Sequence, residues 1–192
     1  LPNVMGWTNR KGPKMIIDQE QLYEAANQIS EVVFPDVSAL IVAAFGDPGA
    51  KRLARRMDIP VIGIAAAAAR EAALSRVSFA VVTTTPKLAP SIDKIMRAER
   101  GHTYLGCYTT EDDPLVLASN SDALDYALIT SCEIAKKAGA KRVIIGGGPL
   151  GQAAIRISSQ VKVPLIQPLV AACSEVSALI EHQLPHVQDV DR

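Results

Sequence analysis

The chain has 192 residues, 48% of them hydrophobic and 4% aromatic, enough for one α/β domain or for two small lobes around a cleft. Lys+Arg and Asp+Glu both number 20, so no net field draws the protein to nucleic acid or a membrane surface. No apolar run reaches the ~18 residues of a membrane span and no secretory signal is visible; Cys107, Cys132 and Cys173 are odd in number and form no CxxC, which reads as reduced thiols of a cytoplasmic protein. A net charge near zero also permits close self-association, so a homo-oligomer is expected.

In chain order, Asp18 with Gln21 three residues later forms a capping-box start for a helix expected to reach Phe34, where Pro35 stops it. The apolar run 39–44 has strand length, and 49–57 reads as a short basic amphipathic helix. Strand 59–64 and the strong helix former "AAAAAREAAL" (65–74) follow. A strand at 77–83, a turn through "TTP", a helix from Lys87 to Arg100 and a weaker strand at 103–108 come next. After the acidic loop "TTEDDP", Ser121 is expected to cap a long helix, acidic at its start, basic at its end and closed by Gly139. Strand 141–146, helix 151–160, strand 163–166 and helix 169–183 complete the chain.

Alternating strands and helices predict βαβ units and a mainly parallel sheet, whose ligands sit at the carboxyl ends of the strands. Both Gly-Pro loops, "AFGDPG" (44–49) and "GGGPLG" (146–151), fall at such ends. Each is followed by a helix and then by a similar strand, "DIPVIGI" or "KVPLI", at nearly equal spacing. The expectation is therefore an α/β fold of two pseudo-symmetric parallel-sheet lobes, internally duplicated βα units around a central cleft. The whole of 1–192 then forms one unit, with an approximate first repeat at 36–76 and a second at 139–183.

The stretches "ALIVAAFGDPG" with "DIPVIGIA", "FAVVTTTP", and "RVIIGGGPLG" with "VPLI" resemble the aspartate/glutamate racemase superfamily, most closely its hydantoin and allantoin racemase branch. "GPKMI" (12–16) is similar to the family's GPxxI segment, whereas the family's opening Asn-Pro-Asn strand is absent, as expected of a chain missing its N-terminus. The resemblance implies racemisation or epimerisation at a carbon next to a carbonyl, without a cofactor. In such proteins two cysteines oppose each other across the cleft. One thiolate takes the α-proton and the other thiol delivers one to the opposite face.

Those cysteines align with Ala44 and Gly147, neither of which can carry a proton, and two acidic positions of the family align with Ala66 and Gln167. The catalytic residues are therefore unknown from sequence. Asp47 is a candidate acid or base, weighed against a turn-forming role through backbone amides. The candidate ligand-binding residues are Ala44, Phe45, Gly46, Thr83, Thr84, Thr85, Gly146, Gly147 and Gly148. The threonines offer hydroxyls and amides, and the glycines bare amides, to a carboxylate or ring carbonyl. Gly146, Gly148 and Gly151 also spell the dinucleotide fingerprint, but Pro149 stiffens the turn and the next strand ends at Gln167 in place of an acidic ribose ligand. Lys51, Arg52, Arg55 and Arg56 read as a solvated helix face. His102, His182 and His186 lack metal spacing, so no metal is expected. Two functions remain open: an isomerase acting on a small carboxylate or cyclic ureide, and a non-catalytic binding descendant that kept the cleft and lost the thiols.

Overall fold

The computed structural model describes residues 4–8, 15–99 and 103–183. In chain order the elements are α1 (Gln19–Ser30), β1 (Leu40–Val42), α2 (Ala50–Arg56), β2 (Val61–Gly63), α3 (Ile64–Leu74), β3 (Phe79–Thr83) and α4 (Ala89–Ala98). They continue with β4 (Tyr104–Thr109), α5 (Pro114–Ala118), α6 (Ser121–Lys137), β5 (Arg142–Ile145), α7 (Gly151–Ile157), β6 (Leu165–Ile166) and α8 (Pro168–Gln183). The fold is α/β, with two parallel sheets in two lobes: β1 beside β2, and a four-stranded sheet in the order β4-β3-β5-β6.

Strands β3 and β5 explain why the apolar runs are continuous rather than alternating. Phe79 and Val81 point to one side of the sheet, into a core shared with Ile92, Met96 and the alanines of α3. Ala80 and Val82 point to the other, into a core shared with Leu128, Cys132 and Ile157. Both faces are covered by helices, so both must be apolar. The alanine run of α3 serves close packing: Ala65, Ala68, Ala69 and Ala72 are fully buried, and Ala171 and Ala172 of α8 belong to the same core. Arg70 of α3 ties this layer at its rim, with Nε and Nη2 donating to Glu175 and Nη1 to Glu99 at 2.9–3.0 Å.

Four local expectations change. Helix α1 begins as expected, with the Gln21 amide donating to Asp18 at 3.0 Å, but it ends at Ser30 rather than Phe34. The β-branched pair Val32 and Val33 is costly in a helix. Arg56 of α2 instead donates to the carbonyls of Ser30 and Val32, so part of the basic face closes the end of α1. The N-cap of α6 is Asn120, whose side chain accepts from the Ala123 amide, not Ser121. The acidic loop leads into a short helix, α5, capped by Asp113 with Pro114 in its first turn. Gly139 closes α6 as expected, at φ +105.

Candidate functional site

The loop after β1 and the loop after β5 lie against each other. A Cβ built on Gly148 would fall 2.9 Å from the Ala43 carbonyl oxygen, and one built on Gly146 would fall 2.6 Å from Cε1 of Phe45. The fingerprint glycines Gly146 and Gly148 thus permit close approach of the two halves of the chain. Gly147 has φ 172, an extended conformation open to any residue, but a Cβ there would meet Leu150 Cγ at 2.8 Å. Ala44 is partly buried, Phe45 is buried, and Gly46 takes φ +120 beside Leu22.

Asp47 is the ionisable group of this loop. It adopts φ +50, and its two carboxylate oxygens accept from the amides of Ala65 and Ala66 at 2.8 Å each. Those amides open α3, so the carboxylate caps a helix that starts well downstream of it. Burial pushes the carboxyl up to about 6, against the opposing pull of the two amide bonds and Arg70. The structure therefore gives Asp47 backbone-amide partners, as its turn-forming reading requires, but on the second strand-loop-helix segment rather than within its own turn. Ala66, an acidic position in the resemblance, supplies one of the two amides.

Thr83, Thr84 and Thr85 are buried at the carboxyl end of β3. Thr83 Oγ1 and Thr85 Oγ1 share a hydrogen bond of 3.1 Å. The pairing of Val82 with Ile145, extended by the Gly146 amide donating to Val82 O at 2.7 Å, sets these threonines beside the second glycine loop. On their other side the Thr110 amide donates to Thr83 O at 3.1 Å. Thr110 is itself buried, and its Oγ1 has no hydrogen-bond partner among the described residues. A buried hydroxyl left unpaired is costly. Sequence reasoning missed Thr110; the signal was the Thr109-Thr110 pair ending a strand that pairs with β3.

A cavity of about 90 Å³ opens over Thr84. Among the described residues it is also lined by Pro149 and Leu150 of the second loop, by Pro114, Ala118 and Leu124, and by Met15. The wall made by α5 and the start of α6 was not foreseen.

The cysteines lie apart from the two glycine loops in sequence and setting. Cys107 is on the edge strand β4 and Cys132 is fully buried in α6; burial pushes each thiol up to about 12. Cys173 is exposed on α8. His182 is exposed near the end of α8, while His102, His186 and residues 12–14 of "GPKMI" lie outside the described residues. Among the described residues no helix is long and apolar enough to cross a membrane.

Two parallel-sheet lobes with glycine loops meeting at strand carboxyl ends define an α/β protein of the kind that holds ligands at those ends. The family of Asp/Glu/hydantoin racemases matches residues 1–176, and the chain belongs to it. It is 27% identical over 145 residues to a hydantoin racemase of Paenarthrobacter aurescens, covering 74% of this chain and 61% of that protein. It is 29% identical over 146 residues to a hydantoin racemase of Rhizobium meliloti, covering 75% and 61%. The chain thus matches about three fifths of the length of these curated relatives. The crystal structure of an allantoin racemase from Pseudomonas fluorescens has the same fold, with a TM-score of 0.87 at 22% identity, covering 99% of this chain and 87% of that one.

Proposed function

We propose that the protein is a cofactor-independent, racemase-like protein that acts on or binds a small carboxylate or cyclic ureide at the meeting point of the two glycine loops. The observation that carries this reading is the buried hydroxyl of Thr110, unpaired among the described residues, beside Thr83–Thr85 at the carboxyl ends of β3 and β4. Such a hydroxyl can donate to a carboxylate or ring carbonyl, and the amide of Gly148 can take a second oxygen, those of Gly146 and Gly147 already donating to the carbonyls of Val82 and Ile145. The proposed ligand residues are Ala44, Phe45, Gly46, Thr83, Thr84, Thr85, Gly146, Gly147 and Gly148. In this reading 36–76 and 139–183 are two copies of one unit within a single two-lobed body.

The second reading, a binding protein without turnover, rests on two features. Ala44 and Gly147 carry no proton, and the Asp47 carboxylate is already held by two helix amides. If turnover occurs, Asp47 is the first group to test, because a carboxyl near 6 can both give and take a proton at neutral pH. A cytoplasmic, self-associating protein fits the unpaired cysteines and the balanced charge; sedimentation at several protein concentrations tests the association.

The deciding experiment is exchange of the α-proton for deuterium, read by NMR, on a panel of hydantoins and free amino acids, with binding measured in parallel by calorimetry. Exchange identifies an isomerase, and saturable binding without exchange identifies a binder. Neither exchange nor binding across the panel would refute the ligand reading.

A further inference from the structure

Helix α6 buries Leu128, Cys132 and Ala135 in the core over one face of the four-stranded sheet. Its other side carries Asp122, Tyr126, Thr130, Ile134 and Lys137, spaced three or four residues apart and so aligned in one stripe. All five are exposed, Tyr126 by 74% and Ile134 by 51%. Helix α7 packs beside α6, where Arg156 donates to both carboxylate oxygens of Asp125 at 2.7 Å. Its Ala153, Ala154 and Ile157 enter the same core, so the exposed Ile155 faces outward from the same layer.

The stripe has an acidic end, an apolar residue, Thr130, a second apolar residue and a basic end. At a rise of ~1.5 Å per residue, Tyr126 and Ile134 lie ~6 Å on either side of Thr130, and Asp122 and Lys137 lie ~12 and ~10 Å from it. We propose, resting on the self-association read above, that this face docks on the same face of a second copy, the two α6 helices running antiparallel about a twofold axis at Thr130. Tyr126 then meets the partner's Ile134, and Asp122 meets the partner's Lys137, twice over by symmetry. Thr130 Oγ1 already donates to the Tyr126 carbonyl at 2.9 Å, so two threonines can meet at the axis without stranding a donor. The neighbouring charges are settled within each copy, Lys136 with Glu133 at 3.4 Å and Arg156 with Asp125 at 2.7 Å. A second copy thus supplies the complementary charges in the order the stripe requires, and a net charge of zero leaves no overall repulsion between copies. Helix α6 is ~25 Å long and the face with α7 is ~20 Å wide, about 500 Å² per copy. A pair buries about 1,000 Å², the lower limit for a specific interface, so the dimer is weak and concentration-dependent.

Sedimentation velocity of the intact chain, from micromolar to submillimolar concentration, tests this, with melting temperature verifying that each variant is folded. The unaltered chain is expected to show a reversible monomer–dimer equilibrium. Thr130→Arg puts two like charges on the axis and should weaken it at least tenfold. Asp122→Lys or Lys137→Glu alone should weaken it at least threefold, and the two together should restore it. In a Cys173→Ser background, Thr130→Cys should give a disulfide-linked dimer on mild oxidation, whereas Lys94→Cys, exposed on α4 across the sheet, should not. An assembly untouched by Thr130→Arg, or Thr130→Cys cross-linking no faster than Lys94→Cys, overturns this surface while self-association stands. A chain that stays monomeric at every concentration removes the self-association reading and this surface together, and leaves the stripe to a different partner.

Discussion

The Asp47 carboxylate occupies the space that a side chain on Gly63 would need: a Cβ there would fall 2.2 Å from Asp47 Cγ. The loop after β1 thus locks into the end of β2 and caps the helix that β2 launches. Gly63→Ala should push the carboxylate off the Ala65 and Ala66 amides and destabilise the fold by about 2–3 kcal/mol. In an Asp47→Gly background, which removes the side chain without straining the left-handed backbone, the same change should cost far less. Urea denaturation of the four proteins gives the cycle, and additive losses would disprove the interlock.

The same carboxyl predicts a pH dependence with a definite sign. Its folded value is raised to about 6 from 3.8. The folded state therefore holds more protons than the unfolded one between these values. This contribution to stability is fully present below about pH 4 and is lost as pH rises through about 6. The full shift corresponds to roughly 3 kcal/mol, but Asp47 is only partly buried, so screening reduces the expected change to about 1–2 kcal/mol. Asp47→Asn should flatten the stability profile across that window. A wild-type profile that instead rises from pH 4 to 6, with Asp47→Asn removing the rise, would reverse the assignment.

Restoring both thiols is expected to raise racemisation. Ala44→Cys with Gly147→Cys should increase α-proton exchange on hydantoins well beyond either change alone, since two opposed groups act as a unit. Gly147 is extended, so a side chain there meets no backbone strain; the obstacle is Leu150 Cγ at 2.8 Å. Adding Leu150→Ala should therefore recover part of the stability lost through Gly147→Cys, measured as melting temperature. Robust racemisation by the unaltered chain would show that the chemistry does not depend on the missing thiols, and Asp47→Asn should then abolish it.

The native thiols should play no part. Cys107 and Cys132 are held protonated at neutral pH by burial, so Cys107→Ser with Cys132→Ser should leave any exchange activity within a few-fold of its starting value. Iodoacetamide followed by peptide mass spectrometry should label the exposed Cys173 first and Cys132 only on unfolding. A hundredfold loss of activity in a folded double variant, about 2.7 kcal/mol of barrier, would place the active site elsewhere.

The order of elements was legible in the sequence because it depends on local physics. Continuous apolar runs such as 79–82 must be covered on both faces, the Asp18–Gln21 pair caps its own helix, and Gly139 supplies the positive φ that ends α6. The ends of elements were less legible: Val32 and Val33 shorten α1, and Pro114 starts a helix inside what reads as a loop. The candidate site was legible only as two loops and a row of threonines. Which atoms meet there depends on contacts between residues far apart in the chain, and no periodicity encodes these. Sequence names Asp47 as a turn residue; only the packing of β1 against β2 brings its carboxylate to the amides of Ala65 and Ala66. Sequence names Gly146 and Gly148 as bare amides; only the approach of the two lobes sets them against Phe45 and Ala43. The Thr110 hydroxyl, unpaired among the described residues, and the wall of Ala118 and Leu124 exist because β4 pairs with β3 and α5 folds beside α6. Burial, which decides whether a hydroxyl has a partner and whether a carboxyl holds its proton, is a property of the assembled core.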